Sequence, residues 1–70
     1  MDTNNVVVIV RIFVEEESLT LFHEIFNHVV GETRKEEGCL RYELNKSVDE
    51  PNVYWLLEIW KSNEALTAHF

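Results

Sequence analysis

A nine-residue apolar run near the N-terminus constrains the fold more than any other feature of the sequence. Val6 to Val14 is interrupted by one charge, Arg11, and is dense in β-branched residues, which favour strands because their stiff side chains pack well on a pleated surface. Side chains of a strand alternate between its two faces, so this run predicts a strand that needs an apolar cover on both faces. One layer of helices covers only one of them.

The length of the chain predicts that a second source of stability is needed. Its 70 residues allow one domain, residues 1–70, and a chain of this size buries only about 60% of the surface that its unfolded form exposes. Cys39 is the only cysteine, so we interpret it as a small buried hydrophobe in a reducing compartment rather than a disulfide partner. A metal or a partner subunit remains.

The charge of the chain excludes several classes of partner. A net charge of −7 argues against nucleic acids and anionic membrane surfaces, because phosphate binding requires clustered lysine and arginine. The first apolar run is too short for a membrane span or a signal peptide. The default location is therefore the cytoplasm.

The remaining pattern predicts a helix, a hairpin and a second helix. The first helix carries an apolar stripe at three- and four-residue spacing and is expected to begin near Ser18 and to stop at Gly38; its stripe contains Phe22, Ile25, Phe26, Val29 and Val30. The pattern then predicts two strands, over residues 40–46 and 53–60, joined by a turn at 49–52. Ser62 is the predicted N-cap of a helix over 64–68.

This order of elements, β-α-β-β-α, predicts an α+β, ferredoxin-like fold: an antiparallel sheet with helices on one face. That fold normally ends with one more strand. We therefore expect the single domain to be incomplete at its C-terminal end.

Most of the titratable residues are expected to have structural roles. The five-residue spacing of His23 and His28 directs the two imidazoles to different sides of a helix, so we predict no zinc site there. We expect both histidines to be solvated or at an interface. The carboxylates that occur in runs are expected to be solvated: Glu15, Glu16, Glu17, Glu36 and Glu37. Four charges on strands are predicted to pair across the sheet, with orientation of a ligand as the alternative: Arg11, Arg41, Glu43 and Glu58.

His69 and the aromatic residues are the candidates for a binding or catalytic site. His69 follows one apolar turn of the second helix, and histidine is the side-chain type most often used as an acid or base near neutral pH, although a plain surface position is an equal alternative. The aromatic side chains suit a flat organic ligand, and core or interface packing is the alternative for most of them; they are Phe22, Phe26, Tyr42, Tyr54, Trp55 and Trp60.

Two segments together resemble a known family. Glu36-Glu37-Gly38-Cys39-Leu40-Arg41-Tyr42 resembles its E-x-G-C-x-x-Y signature, and residues 58–69 resemble E-x-W-x-s-x-e-A-L-x-x-H. Both motifs belong to the antibiotic biosynthesis monooxygenase family of dimeric α/β barrels. The resemblance implies a homodimer formed by sheet-to-sheet packing and a substrate pocket between sheet and helices. It also implies a monooxygenase that needs no metal or other cofactor.

The resemblance also implies site residues. His69 is the candidate base or hydrogen-bond partner, Tyr42 an orienting group and Trp60 a pocket wall, while Arg41 is a weaker candidate for stabilising an anion. Phe22 and Phe26 are expected to contact a small aromatic, quinol or polyketide-like substrate. Val10 is expected to contact the substrate as well; it stands about where haem-degrading relatives carry asparagine, which argues against haem.

The family is functionally mixed, and a fold does not determine a function. One alternative is a dimeric module that binds a small metabolite without catalysis. The others are a haem-degrading relative and an isomerase, although an isomerase of a phosphorylated substrate requires a phosphate-binding cluster that this acidic sequence does not offer.

Overall fold

The computed structural model describes residues 4–70, which form three strands and two helices. The elements in chain order are β1 (Val6–Phe13), a 3-10 turn (Glu16–Ser18), α1 (Leu19–Thr33), β2 (Cys39–Lys46), β3 (Val53–Trp60) and α2 (Asn63–His69). The strands form one antiparallel sheet in the order β1-β3-β2. The predicted α+β, ferredoxin-like arrangement is confirmed.

The core lies between this sheet and both helices. Its centre is formed by Tyr42, Leu56 and Trp60, which come from β2 and β3. Side chains of both helices pack against these three residues. The helix side chains include Phe26, Val29, Val30, Ala65 and Leu66. The helices therefore share one face of the sheet, as the sequence predicts.

The opposite face of the sheet carries apolar side chains that the chain itself does not cover. On β1, Val7, Ile9 and Phe13 are 56%, 64% and 61% exposed, whereas the alternate positions are partly buried. The register pairs Val7 with Ile59 and Ile9 with Leu57, so the apolar surface continues onto β3. We call this surface the open face. The first strand thus has two apolar faces, as expected from its sequence, and the chain packs against only one of them.

The ends of α1 differ from the sequence prediction. Ser18 makes no capping hydrogen bond through its side chain, because the preceding 3-10 turn holds it at φ −100° and ψ −3° rather than in the extended conformation that a capping serine adopts. The helix ends at Thr33, five residues before Gly38. In contrast, Ser62 caps α2 as predicted, since its Oγ accepts a hydrogen bond from the amide of Ala65 at 3.1 Å.

Gly38 serves the turn between α1 and β2 and the packing of α2. Its φ is +88°, a conformation that side chains with a Cβ rarely adopt. A Cβ at this position would lie 2.6 Å from Cβ of Ala65, so only glycine allows α2 to approach. The glycine of the E-x-G-C segment is therefore explained by backbone conformation and close packing together.

Substituting Gly38 with alanine is expected to destabilise the protein by about 2–3 kcal/mol, because it combines an unfavourable φ with a steric clash. Gly31→Ala is the matched control, since no atom lies within 4 Å of its added Cβ and alanine is the better helix former by about 1 kcal/mol. Chemical denaturation of both variants measures the difference. Equal stabilities of the two variants would contradict this account.

No helix within residues 4–70 is long and apolar enough to cross a membrane.

Candidate functional site

The fold brings three sequence-predicted site residues together where α2 meets the sheet. The ring centroids of Trp60 and His69 are 4.8 Å apart, those of Tyr42 and His69 are 5.7 Å apart, and Tyr42 meets Trp60 edge to face at 6.5 Å. Tyr42 comes from β2, Trp60 from the end of β3 and His69 from the last turn of α2. We call these three rings the aromatic cluster.

Trp60 forms the buried back of the aromatic cluster. It is 0% exposed, and its indole Nε1 donates a hydrogen bond to Glu58 Oε1 at 3.0 Å. The Glu58 side chain lies on the same face of β3, two residues away, and the residue is only 5% exposed. A buried carboxylate is costly unless it is hydrogen bonded, so the indole also serves to satisfy Glu58.

His69 lies at the margin of the cluster and is held by a carboxylate. Its side chain is 17% exposed, and its Nδ1 lies 3.0 Å and 3.1 Å from the two carboxylate oxygens of Glu36. Glu36 belongs to the turn between α1 and β2, where its amide donates to the carbonyl of Thr33 at 3.0 Å. Glu36 is exposed, as expected from the sequence, but the contact with His69 gives this solvated carboxylate a partner that the sequence did not indicate.

Tyr42 is a neutral hydrogen-bonding group rather than a base. Burial is the largest effect that raises the pKa of its hydroxyl, and the negative charge of Glu58 raises it further, while a hydrogen bond with Thr33 lowers it. The pKa of the Cys39 thiol is also raised, first by burial and then by Glu36 and Glu58. Both groups therefore keep their protons near neutral pH, and Cys39 packs against the core as interpreted from the sequence.

The aromatic contacts continue from the cluster along α1. Phe26 lies nearly parallel to Tyr42, with 6.4 Å between centroids, and Phe22 lies 5.3 Å from Phe26. Val10 packs against the same core from β1. The structure therefore places Phe22, Phe26 and Val10 in one apolar layer with the cluster.

Arg41 lies outside this assembly. Neighbouring residues of a strand point to opposite faces, so the side chain next to buried Tyr42 is directed to the open face, where its guanidinium pairs with Glu43 at 2.8 Å. The cation beside the cluster is instead Arg34, whose Nε donates to the carbonyl of Tyr42 at 3.0 Å. The sequence prediction that Arg41 reaches the site does not agree with this placement.

The predicted charge pairing across the sheet is also wrong. Arg11 pairs with Glu50 of the turn before β3 at 2.7 Å, and Arg41 pairs within its own strand. Glu58 lies on the helix-covered face with Trp60. The register of the strands, which the sequence does not specify, decides these partners.

A second histidine makes an unexpected contact. His23 Nε2 and the hydroxyl of Tyr54 are 2.9 Å apart, and the two rings meet edge to face. His23 is exposed, so this contact belongs to a histidine that was expected to be solvated or at an interface. His28 is exposed, in agreement with its prediction.

A groove lies between β1 and the start of α1. It has a volume of about 350 Å³ and is bordered by apolar side chains that include Ile12, Phe13, Leu21, Phe22 and Ile25. Phe22 connects it to the aromatic layer through Phe26. Over residues 4–70, no group of three or more histidine, cysteine, aspartate or glutamate side chains is arranged to hold a metal ion.

Sequence reasoning did not place Glu36 at the site, and it gave Glu58 a ligand-orienting role only as the alternative to pairing across the sheet. Glu36 and Glu58 are the glutamates of the two signature segments, so the motifs themselves could have indicated that both residues belong to the site. Their roles were not evident because a run of glutamates suggests solvent and a charge on a strand suggests a partner on the next strand.

Comparison with known proteins places these residues in a family context. The model of the antibiotic biosynthesis monooxygenase family matches residues 5–70. A conserved protein from Methanosarcina mazei Go1 is 28% identical, with a TM-score of 0.92 over 97% of this chain and 67% of its own. A candidate antibiotic biosynthesis monooxygenase from Caulobacter crescentus CB15 is 29% identical, with a TM-score of 0.91 over 97% of this chain and 65% of its own.

A third structure, a candidate monooxygenase from Fusobacterium nucleatum, is 29% identical, with a TM-score of 0.89 over 99% of this chain. The present chain covers 32% of that protein, and about two thirds of the other two. No curated protein matches the sequence.

Proposed function

Because the chain belongs to the antibiotic biosynthesis monooxygenase family, we propose that it oxidises a small hydroxylated aromatic or quinol substrate with dioxygen and without a cofactor. The observation that carries this proposal is the contact of His69 with Glu36 at the margin of the aromatic cluster. An imidazole held in this way is suited to removing a proton from a hydroxyl group.

The chemistry balances without an external reductant. His69 removes the hydroxyl proton, and the resulting electron-rich anion transfers electrons to dioxygen. One oxygen atom bonds to a carbon of the substrate, and the other leaves as water with the two hydrogens that the substrate loses. The substrate supplies all four electrons, so the protein has to provide a base and an environment of low polarity.

The burial of the cluster determines how the substrate is placed in this proposal. Trp60 is 0% exposed, so it supports the imidazole from behind and does not contact a ligand directly. The substrate hydroxyl meets His69 at its exposed edge. Phe22 and Phe26 extend the apolar layer from there, and Phe22 borders the groove beside β1.

Oxygen consumption tests the proposed activity. We expect the purified protein to accelerate oxygen uptake with a panel of hydroquinones and anthrones, and ¹⁸O₂ to label the product with one oxygen atom. Equal uptake with and without protein across the panel would contradict the proposal. Ligand-induced thermal stabilisation without turnover would instead indicate a module that binds a metabolite without catalysis.

We also infer that two copies associate through the open face. An exposed apolar surface that is continuous across two strands is the usual sign of an interface, and it includes Val7, Ile9, Phe13, Trp55, Leu57 and Ile59. Charged residues lie on the same face, where Arg11 stands between Ile9 and Phe13 and where Arg11 and Arg41 are both ion-paired. Sheet-to-sheet packing of a second copy would cover the second dry face of β1.

Ile9→Lys is expected to weaken this dimer about tenfold to a hundredfold, because each copy then buries an unpaired ammonium group. Val48→Lys is the matched control, since Val48 is a fully exposed aliphatic residue outside the strands. Sedimentation velocity over a range of concentrations measures both variants. An unchanged dimer in Ile9→Lys, or a monomeric unsubstituted protein, would contradict the inferred interface.

A further inference from the structure

Glu36 is placed to act on the proposed reaction through His69. Both of its carboxylate oxygens lie within 3.1 Å of Nδ1, and a carboxylate accepts hydrogen bonds but cannot donate them. The proton of a neutral His69 therefore resides on Nδ1, and Nε2 is left with the lone pair that accepts a proton. An imidazole in water favours the other tautomer, so the contact with Glu36 determines which nitrogen is basic.

The backbone holds Glu36 in this position. Its amide donates to the carbonyl of Thr33 at 3.0 Å, and its carbonyl accepts from the amide of Cys39 at 3.2 Å. The following turn is joined to the segment between β3 and α2, because the amide of Lys61 donates to the carbonyl of Gly38 at 2.9 Å. The carboxylate and the imidazole thus lie on two segments that are connected by hydrogen bonds.

Of the two adjacent glutamates, Glu36 and Glu37, only Glu36 is hydrogen bonded to His69 in the structure of residues 4–70. Glu37 instead pairs with Nζ of Lys61 at 2.9 Å. The two adjacent glutamates therefore differ in their partners although they share a turn. Glu37 is the natural control for every substitution of Glu36.

We propose that Glu36 is the positioning residue for His69, and that its fixed negative charge selects substrates that are uncharged before they react. This inference rests on the proposed function. When His69 takes up the hydroxyl proton, Glu36 stabilises the imidazolium that forms, in the way that a hydrogen-bonded carboxylate assists histidine in hydrolases.

The charges around His69 favour an uncharged substrate. Glu36 faces it from the turn, and Glu58 is hydrogen bonded to Trp60 on β3, whereas the cation Arg34 contacts the carbonyl of Tyr42. Tyr42 and Cys39 stay neutral because their pKa values are raised, and Lys61 is paired with Glu37. The balance is negative, so a carboxylated or phosphorylated aromatic is repelled.

The tautomer of His69 tests the positioning role in the free protein. Two-dimensional ¹⁵N NMR at a pH where the imidazoles are neutral is expected to show His69 protonated on Nδ1. Glu36→Leu is expected to shift His69 to the Nε2-protonated form, while Glu37→Leu leaves it unchanged and His28 serves as internal reference. Protonation on Nε2 in the unsubstituted protein, or an unchanged tautomer in Glu36→Leu, would overturn the proposal.

Kinetics test the effect on the reaction. Glu36→Leu is expected to lower kcat about tenfold to a hundredfold with little change in KM, because substrate contacts are kept and only the base is impaired. Glu36→Gln, which conserves shape, is expected to lower the preference for hydroquinone over a carboxylated hydroquinone about tenfold. An unchanged kcat in Glu36→Leu would overturn the positioning role, and an unchanged preference in Glu36→Gln would overturn the selection by charge.

The two proposals fail in distinguishable ways. Absence of oxygen uptake by the unsubstituted protein contradicts the proposed monooxygenase, whereas the NMR result does not depend on turnover. A normal activity combined with a tautomer that is insensitive to Glu36 contradicts only the positioning role.

Discussion

Replacing Trp60 with alanine is expected to destabilise the protein by about 5 kcal/mol. Removal of a fully buried tryptophan side chain costs about 3–5 kcal/mol through lost burial and an unfilled cavity. The substitution also removes the indole donor from Glu58 Oε1, which leaves a buried carboxylate without that hydrogen bond, at a cost of roughly 1–3 kcal/mol.

This loss is large for so short a chain. At roughly 0.05–0.15 kcal/mol per residue, the free energy of unfolding of a 70-residue protein is about 4–10 kcal/mol. We therefore expect Trp60→Ala to be partly or fully unfolded at 25 °C. Circular dichroism and chemical denaturation measure this, and a loss below about 2 kcal/mol would contradict the central role of Trp60.

Two milder variants separate the contributions to this effect. Trp60→Phe retains most of the apolar burial but removes the donor, so it isolates the hydrogen bond to Glu58. Trp55→Ala removes the same side-chain type from the open face, where Trp55 is only partly buried. We expect it to affect association more than the stability of one copy.

Replacing His69 with alanine is expected to lower kcat/KM about 10²- to 10⁴-fold, which is the range that a positioned general base contributes. The physical reason is that, within residues 4–70, His69 is the histidine whose ring contacts both Tyr42 and Trp60, and Tyr42 is kept protonated by its raised pKa. Initial rates of oxygen uptake with a reactive hydroquinone measure the effect.

His28→Ala is the matched control for this substitution, because His28 is an exposed histidine of α1. We expect it to retain full activity. If His69→Ala and His28→Ala are equally active, His69 is not the base. Thermal unfolding of both variants distinguishes a loss of chemistry from a loss of structure, since the His69 ring also packs on Trp60.

The order of elements was predictable from the sequence because it depends on local patterns. The β-branched run predicted β1, the apolar stripe predicted α1, and Ser62 predicted the start of α2. The end of α1 was not predictable in the same way. Gly38 suggested a helix stop, but its left-handed conformation belongs to the turn that leads into β2. Gly38 also packs closely against Ala65, a residue 27 positions away in the sequence.

The candidate site was predictable only in part. Tyr42, Trp60 and His69 were identified from two motif segments, and the fold brings their rings together. Arg41 was misplaced because one β-bulge between Cys39 and Arg41 and the alternation of β2 decide which face each side chain occupies. Glu36 was missed because its partner lies 33 residues away in sequence.

The sequence by itself determined that β1 has two apolar faces, that the fold is α+β and that an aromatic-rich segment precedes a histidine near the end of the chain. These properties follow from side-chain type and local spacing. The tertiary structure alone decided that Glu36 and not Glu37 binds His69, that Trp60 satisfies Glu58 and that Arg41 points away from the cluster. Such pairings depend on strand register and on distances of about 3 Å between segments that are remote in sequence, and local patterns carry no information about either.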